Sequence, residues 1–215
     1  MPLRSAQVIN HFNKSRFVAA LIVGIALVMS ACRSHPERVK VSGQDEWREG
    51  DIVLRCGSGL ESRVVTQRSH SAYSHVGLLH YDSLCKEWQV VHAVPGEDEP
   101  EYVKTEPLSV FYSPFRARSG AWLRVDCSDS VAQKAVQYAL KKAEQQILFD
   151  NEYLLADSTF LYCTELVWRA FMAQGLDVTN GRRHPLPTMF SKEGEAIFPS
   201  DIEQSETTLF VKPFN

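Results

Sequence analysis

The chain is 215 residues long, 44% hydrophobic and 23% charged, with a formal net charge of -3. That is the composition of a globular protein with enough apolar residues for a sizeable core, and it excludes intrinsic disorder, a collagen-like fibre and a disulfide-packed miniprotein. Residues 1–31 carry Arg4, Lys14 and Arg16 and no acid, so the rest of the chain is more acidic than the total suggests. An acidic body without basic runs argues against nucleic acid as a partner, because phosphate binding needs clustered Lys and Arg.

The first element in chain order is the apolar run Phe17 to Met29 (FVAALIVGIALVM) behind that basic leader. A helix of this length rises about 1.5 Å per residue and spans only ~20 Å, short of the ~30 Å core of a bilayer. Length and flanks therefore predict the h-region of a secretory signal over residues 1–31, not a membrane anchor. The following Met29-Ser30-Ala31-Cys32 resembles the lipobox of bacterial lipoproteins, which implies a lipid on Cys32 and attachment to a membrane. Arg33 stands where an inner-membrane lipoprotein commonly has Asp, so the resemblance implies the periplasmic face of the outer membrane. Residues 32–46 are polar and aperiodic and read as the lipidated end and a tether. In an oxidising compartment Cys56, Cys85, Cys127 and Cys163 can form two disulfides, or one if a thiol is kept for chemistry, and spacing does not say which.

The mature chain then offers short β-branched or aromatic runs at 51–55, 74–81, 88–93, 121–125 and 207–212, each bounded by turn residues and each predicted as a strand. Gly57-Ser58-Gly59 reads as a turn, since no Lys-Ser/Thr or helix of a phosphate loop is expected after it. Ala132, Ala135, Val136, Ala139, Leu140 and Ala143 recur on one helical face, with Ser130 and Gln133 placed as a capping box. A second helix is expected from about Cys163, with Leu166, Val167, Ala170 and Phe171 inward and a stop at Gly175. The aromatic stretch 102–115 reads either as the lining of a groove or as core beneath a loop, and 182–200 as loop. Strands grouped together rather than alternating with helices make one α+β domain over 47–215, an antiparallel sheet packed on helices.

Two signals carry chemistry. A cysteine at a helix start meets unpaired N–H groups and the positive end of the macrodipole, which favour the thiolate nucleophile and predict a lowered pKa for Cys163. A base must accompany it, and strand geometry selects among the histidines. If Tyr81 and Trp88 flank the hairpin loop, His75 faces Val94 and His92 lies one pleat away diagonally, so both imidazoles share a face while His80 points the other way. Zinc binds these same residue types, so a zinc hydrolase on His75, His92 and Cys163 is an alternative, although no paired short ligand spacing supports it. A lipid-anchored binding module without turnover is another.

Gly50-Asp51-Ile52-Val53, Tyr73-Ser74-His75-Val76-Gly77, Val91-His92-Ala93 and Tyr162-Cys163-Thr164-Glu165-Leu166-Val167-Trp168, in that order, resemble the permuted papain-like amidases of the YaeF/YiiX type, relatives of the NlpC-type cysteine hydrolases. The resemblance runs from about Gly50 to Gly175. It implies a circularly permuted papain-like fold, with Cys163 as nucleophile, His75 as base and His92 as the third, orienting group. YiiX-like members commonly carry Glu at that third position, so His92 is a departure, although NlpC-type relatives use His. The implied reaction is hydrolysis of an amide or peptide bond through an acyl-enzyme, without a cofactor or metal. Oxyanion donors would be the Cys163 or Thr164 backbone N–H groups. Asp150 and Glu165 match family positions loosely and read equally well as capping or solvated carboxylates. Peptides, peptidoglycan peptides and acyl lipids are all within reach of an envelope enzyme.

Overall fold

A computed structural model describes residues 38–95, 101–155, 158–186 and 194–214. The leader and Cys32 lie outside the described residues. Among the described residues no helix is long and apolar enough to cross a membrane.

The expected strands form, each within one or two residues of its predicted ends: β1 Ile52–Cys56, β2 His75–Asp82, β3 Glu87–Ala93, β5 Ser119–Val125 and β8 Thr208–Phe214. A further strand, β4 Val103–Pro107, lies in the stretch read as groove or loop, and it runs directly into a short helix, α2 Leu108–Phe111. Val103, Leu108, Phe111 and Tyr112 of this stretch are buried in the core, while Val110 and Phe115 are exposed. These six strands make one sheet in the order β4-β3-β2-β1-β5-β8, with every neighbouring pair antiparallel.

Both faces of the sheet are covered, which is why Ile52, Val53 and Leu54 are all fully buried where a one-sided sheet would alternate with polar residues. On one face Ile52, Leu54, Val76, Leu78 and Val91 pack against α3 Asp129–Glu144 and α4 Cys163–Met172 through Ala135, Ala139, Leu166, Val167, Ala170 and Phe171. On the other, Val53, Leu79, Val90 and Trp122 meet Val39, Trp47, Leu108, Phe111, Tyr112 and Phe214. Val39 belongs to this second core, within the stretch expected as tether over 32–46, while Arg38, Lys40 and residues 44–46 of the same stretch are exposed.

Three local expectations are corrected. The cap of α3 is Ser128, whose side chain accepts from Val131 N–H, and not Ser130, because the helix begins at Asp129, three residues before Ala132, the first member of its apolar stripe. Gly57-Ser58-Gly59 is followed by a helix, α1 Leu60–Ser69; none of its residues is buried, so it lacks the apolar stripe by which a helix is recognised. Within 182–200, short strands β6 His184–Pro185 and β7 Glu195–Ala196 pair, and a short helix α5 Pro199–Glu203 follows. The end of α4 is as expected: Gly175 takes φ +80° and Leu176 N–H returns to the Phe171 carbonyl. All four described cysteines are free thiols.

Candidate active site

The geometry starts from the hairpin register. Tyr81 pairs with Trp88 and Leu78 with Val91, which is one of the two odd registers that put both imidazoles on one face, the one with Tyr81 and Trp88 flanking the loop. It puts Gly77 opposite His92 and leaves His75, the first residue of β2, diagonal to it. Glycine at 77 is a matter of space. A Cβ there would lie 2.4 Å from Val90 Cγ1 and 3.1 Å from His92 Cβ. With no side chain in the way, the two imidazoles meet edge to face, His75 Nε2 lying 2.8 Å from His92 Nδ1. The contact engages the Nε2 of His75 and leaves its Nδ1 outside the pair.

Beneath the rings lies Phe111, fully buried, with its ring centre 5.7 Å from His75 and 5.2 Å from His92. Arg55, opposite His75 in the β1–β2 register, donates to the Phe111 carbonyl and lays its guanidinium 4.7 Å from the same ring. Phe111 is thus a common floor for a buried cation and both histidines. Burial, and then the positive charges of Arg55, Lys104 and Arg116, hold both imidazoles well below the usual histidine range. At neutral pH both are uncharged, as a base must be before it accepts a proton.

Cys163 is the first residue of α4. The residue before it, Tyr162, is extended and fully buried, and its hydroxyl accepts Ile197 N–H at 2.8 Å, so the helix start is anchored to the segment leading into α5. The Cys163 sulfur receives hydrogen bonds from Val76 N–H, next in chain to His75, and from Thr164 N–H. The nucleophile candidate therefore sits beside the first residues of β2. Its pKa is not lowered as expected. Burial pushes the thiol above its ordinary value and outweighs the contact with the Thr164 hydroxyl, the hydrogen bonds from the Val76 and Thr164 N–H groups, and the nearby Arg55.

Sequence reasoning missed Glu106. It lies on β4 two residues from Lys104, which stands directly opposite His92, so Glu106 is diagonal to His92 on the same face. Its Oε1 is 3.1 Å from His92 Nε2, at an angle too oblique for a good hydrogen bond, and neither atom has another hydrogen-bond partner. Arg116 contacts Oε2 at 2.8 Å and Lys104 at 3.6 Å. Burial raises the Glu106 carboxyl above its ordinary value, with Lys104 and Arg55 pulling the other way. Alternation of Val103 and Thr105 with Lys104 and Glu106 was the available signal, and it is short and ends at a proline.

The two loosely matched carboxylates have local roles. Asp150 accepts from the backbone N–H groups of Glu152 and Leu154. Glu165 is fully buried, accepts from Arg169 at 2.7 Å and is pushed up to about 7, chiefly by burial. Of the remaining histidines described, His80 contacts Glu49, His184 contacts Asp201 and His70 is exposed, all outside this cluster. Among the described residues no group of three or more His, Cys, Asp or Glu side chains is arranged to hold a metal ion.

The model of the permuted papain-like amidase enzymes, YaeF/YiiX, C92 family, matches residues 46–210. Among solved structures the chain resembles yiiX from Escherichia coli O157:H7, titled a metalloprotein, with a TM-score of 0.63 and 21% identity, over 77% of this chain and 96% of that one. No curated protein matches.

Proposed function

The chain belongs to the permuted papain-like amidase family, and from that premise we propose that it is a cysteine hydrolase that cleaves an amide or peptide bond with Cys163 as nucleophile, His75 as base and His92 orienting the base. The observation that carries this reading is the 2.8 Å contact between the two buried, neutral imidazoles, one of them adjoining the residue whose N–H meets the Cys163 sulfur.

Because the thiol is held protonated by burial and His75 is neutral, the resting pair is thiol and imidazole rather than thiolate and imidazolium. Proton transfer then accompanies attack. His75 Nδ1 takes the S–H proton while the sulfur lone pair forms a bond to the carbonyl carbon, and the carbonyl π electrons move to oxygen. The Cys163 backbone N–H, at a helix start with no side-chain cap, is the best-placed oxyanion donor, since Thr164 N–H already serves the sulfur. Collapse expels the amine, which takes the proton from His75. Water, deprotonated by the same nitrogen, then hydrolyses the thioester and restores the thiol.

Replacing the nucleophile tests this reading. Cys163→Ala should abolish turnover of an amide substrate while leaving the melting temperature near that of the parent, and His75→Ala should be nearly as damaging to rate. Full activity in either variant overturns the assignment. We assign the envelope location to the leader and Cys32. Cys32→Ser should move the protein from the membrane to the soluble fraction with catalysis intact, and unchanged fractionation would contradict lipid anchoring.

A further inference from the structure

We propose that Glu106 is a positioning residue, acting through His92, that fixes the tautomers of both imidazoles so that His75 Nδ1 is left as the free proton acceptor. The inference rests on the hydrolase reading above and deepens it.

Three facts bias the proton positions, although the Glu106–His92 contact is an ion-pair approach and not a formed hydrogen bond. The Glu106 side chain is 8% exposed, its Oε2 is in contact with Arg116 and Lys104, and its Oε1 faces His92 Nε2. A carboxylate held by cations can only accept, so the one proton of a neutral His92 belongs on Nε2. His92 Nδ1 is then a lone pair, and the nitrogen 2.8 Å from it, His75 Nε2, must carry the proton of His75. That leaves His75 Nδ1 bare. The order can also run backwards: with His92 protonated on Nδ1 and donating to His75 Nε2, the His75 proton moves to Nδ1, where it blocks abstraction from sulfur. Two neutral imidazoles alone do not choose between these arrangements, and the carboxylate does.

In the chemical step the S–H bond breaks and an N–H bond forms at His75 Nδ1. The imidazolium keeps its Nε2 proton bonded to His92, and Glu106 gains no proton. The groups facing the pair are Phe111, Arg55, Lys104 and Arg116, and the three cations all oppose a positive His75. Glu106 supplies negative charge against them.

The test reads tautomers directly in the uniformly 15N-labelled full chain by two-bond 1H–15N correlation of the imidazole rings, with His75→Gln and His92→Gln used for assignment. The expected result is Nε2–H on both rings in the parent. Glu106→Leu should shift part of the population to Nδ1–H and lower kcat about 10-fold or more with KM little changed, as a wrong tautomer does in triad enzymes. Glu106→Gln, whose amide oxygen still accepts, should restore the parent tautomers. Nδ1–H on His92 in the parent, or tautomers unchanged in Glu106→Leu, overturns the proposal. If Glu106→Leu does not fold, the parent spectrum decides alone. The spectra need no substrate, so a protein with the expected tautomers but no loss of activity in Cys163→Ala would fail the hydrolase reading and not this one.

Discussion

At Cys163 two effects of position compete. The helix start stabilises an anion by a few tenths of a kcal/mol to about 1 kcal/mol, while burial of the thiol works against the charge, and burial prevails. Alkylation by iodoacetamide, located at Cys163 by mass spectrometry, should accordingly be slow below neutral pH and climb through the alkaline range. Fast alkylation that persists at pH 5 would show a preformed ion pair instead. The helix position of Cys163 was legible because Leu166, Val167, Ala170 and Phe171 mark its inner face. Its pKa was not, because desolvation depends on what packs around the sulfur, and that information lies in distant segments. Glu106 escaped for a related reason: its role depends on β4, a five-residue strand too short and too polar to stand out.

At the scale of elements, the β2–β3 hairpin does the positioning. Period-two alternation puts His75 and His92 on one face, and the loop length sets the register, so this part of the site is legible in the order of amino acids alone. Gly77 is the hinge of that arrangement. Gly77→Ala should cost about 1–3 kcal/mol through the clash with Val90, and it should reduce turnover beyond that loss by turning His92 away. Urea denaturation against the rate at saturating substrate separates the two, and a variant with parent activity would show that His92 has room to spare. By contrast α1, between Arg55 and His75, was illegible: it buries nothing, and so leaves no periodic trace.

Over the whole molecule, buried titratable groups pull in opposite directions. His75 and His92 are depressed in the fold, so below about pH 6.5 the unfolded chain takes up protons that the native one refuses, and stability is lost as pH falls. Glu165 is raised to about 7. Its native form keeps a proton that the unfolded chain releases above about pH 4.5, so its contribution is full below that and is lost as pH rises towards 7. Glu165→Gln should therefore gain on the parent by ~2 kcal/mol at pH 7.5 and show no advantage near pH 4.5, allowing for the lost ion pair with Arg169. Denaturation midpoints at the two pH values check this, and an equal difference at both would place the titration elsewhere. The antiparallel sheet was legible in the short apolar runs, whereas the second core on its other face is built from segments such as Trp47 and Phe111 that form no periodic pattern. The packing of Val39 was not legible either, because one valine in a polar stretch is no pattern.

The order of the site along the chain has a consequence for synthesis. His75, His92 and Glu106 sit on consecutive strands and meet through near neighbours in sequence, while Cys163 comes much later, on a helix whose anchor, Ile197, is later still. A ribosome therefore completes the two histidines and Glu106 before Cys163 is added. A chain arrested or clipped before α4 would lack Cys163 together with Leu166, Val167, Ala170 and Phe171, which pack on the sheet, so incomplete copies lose the thiol and part of the core at once.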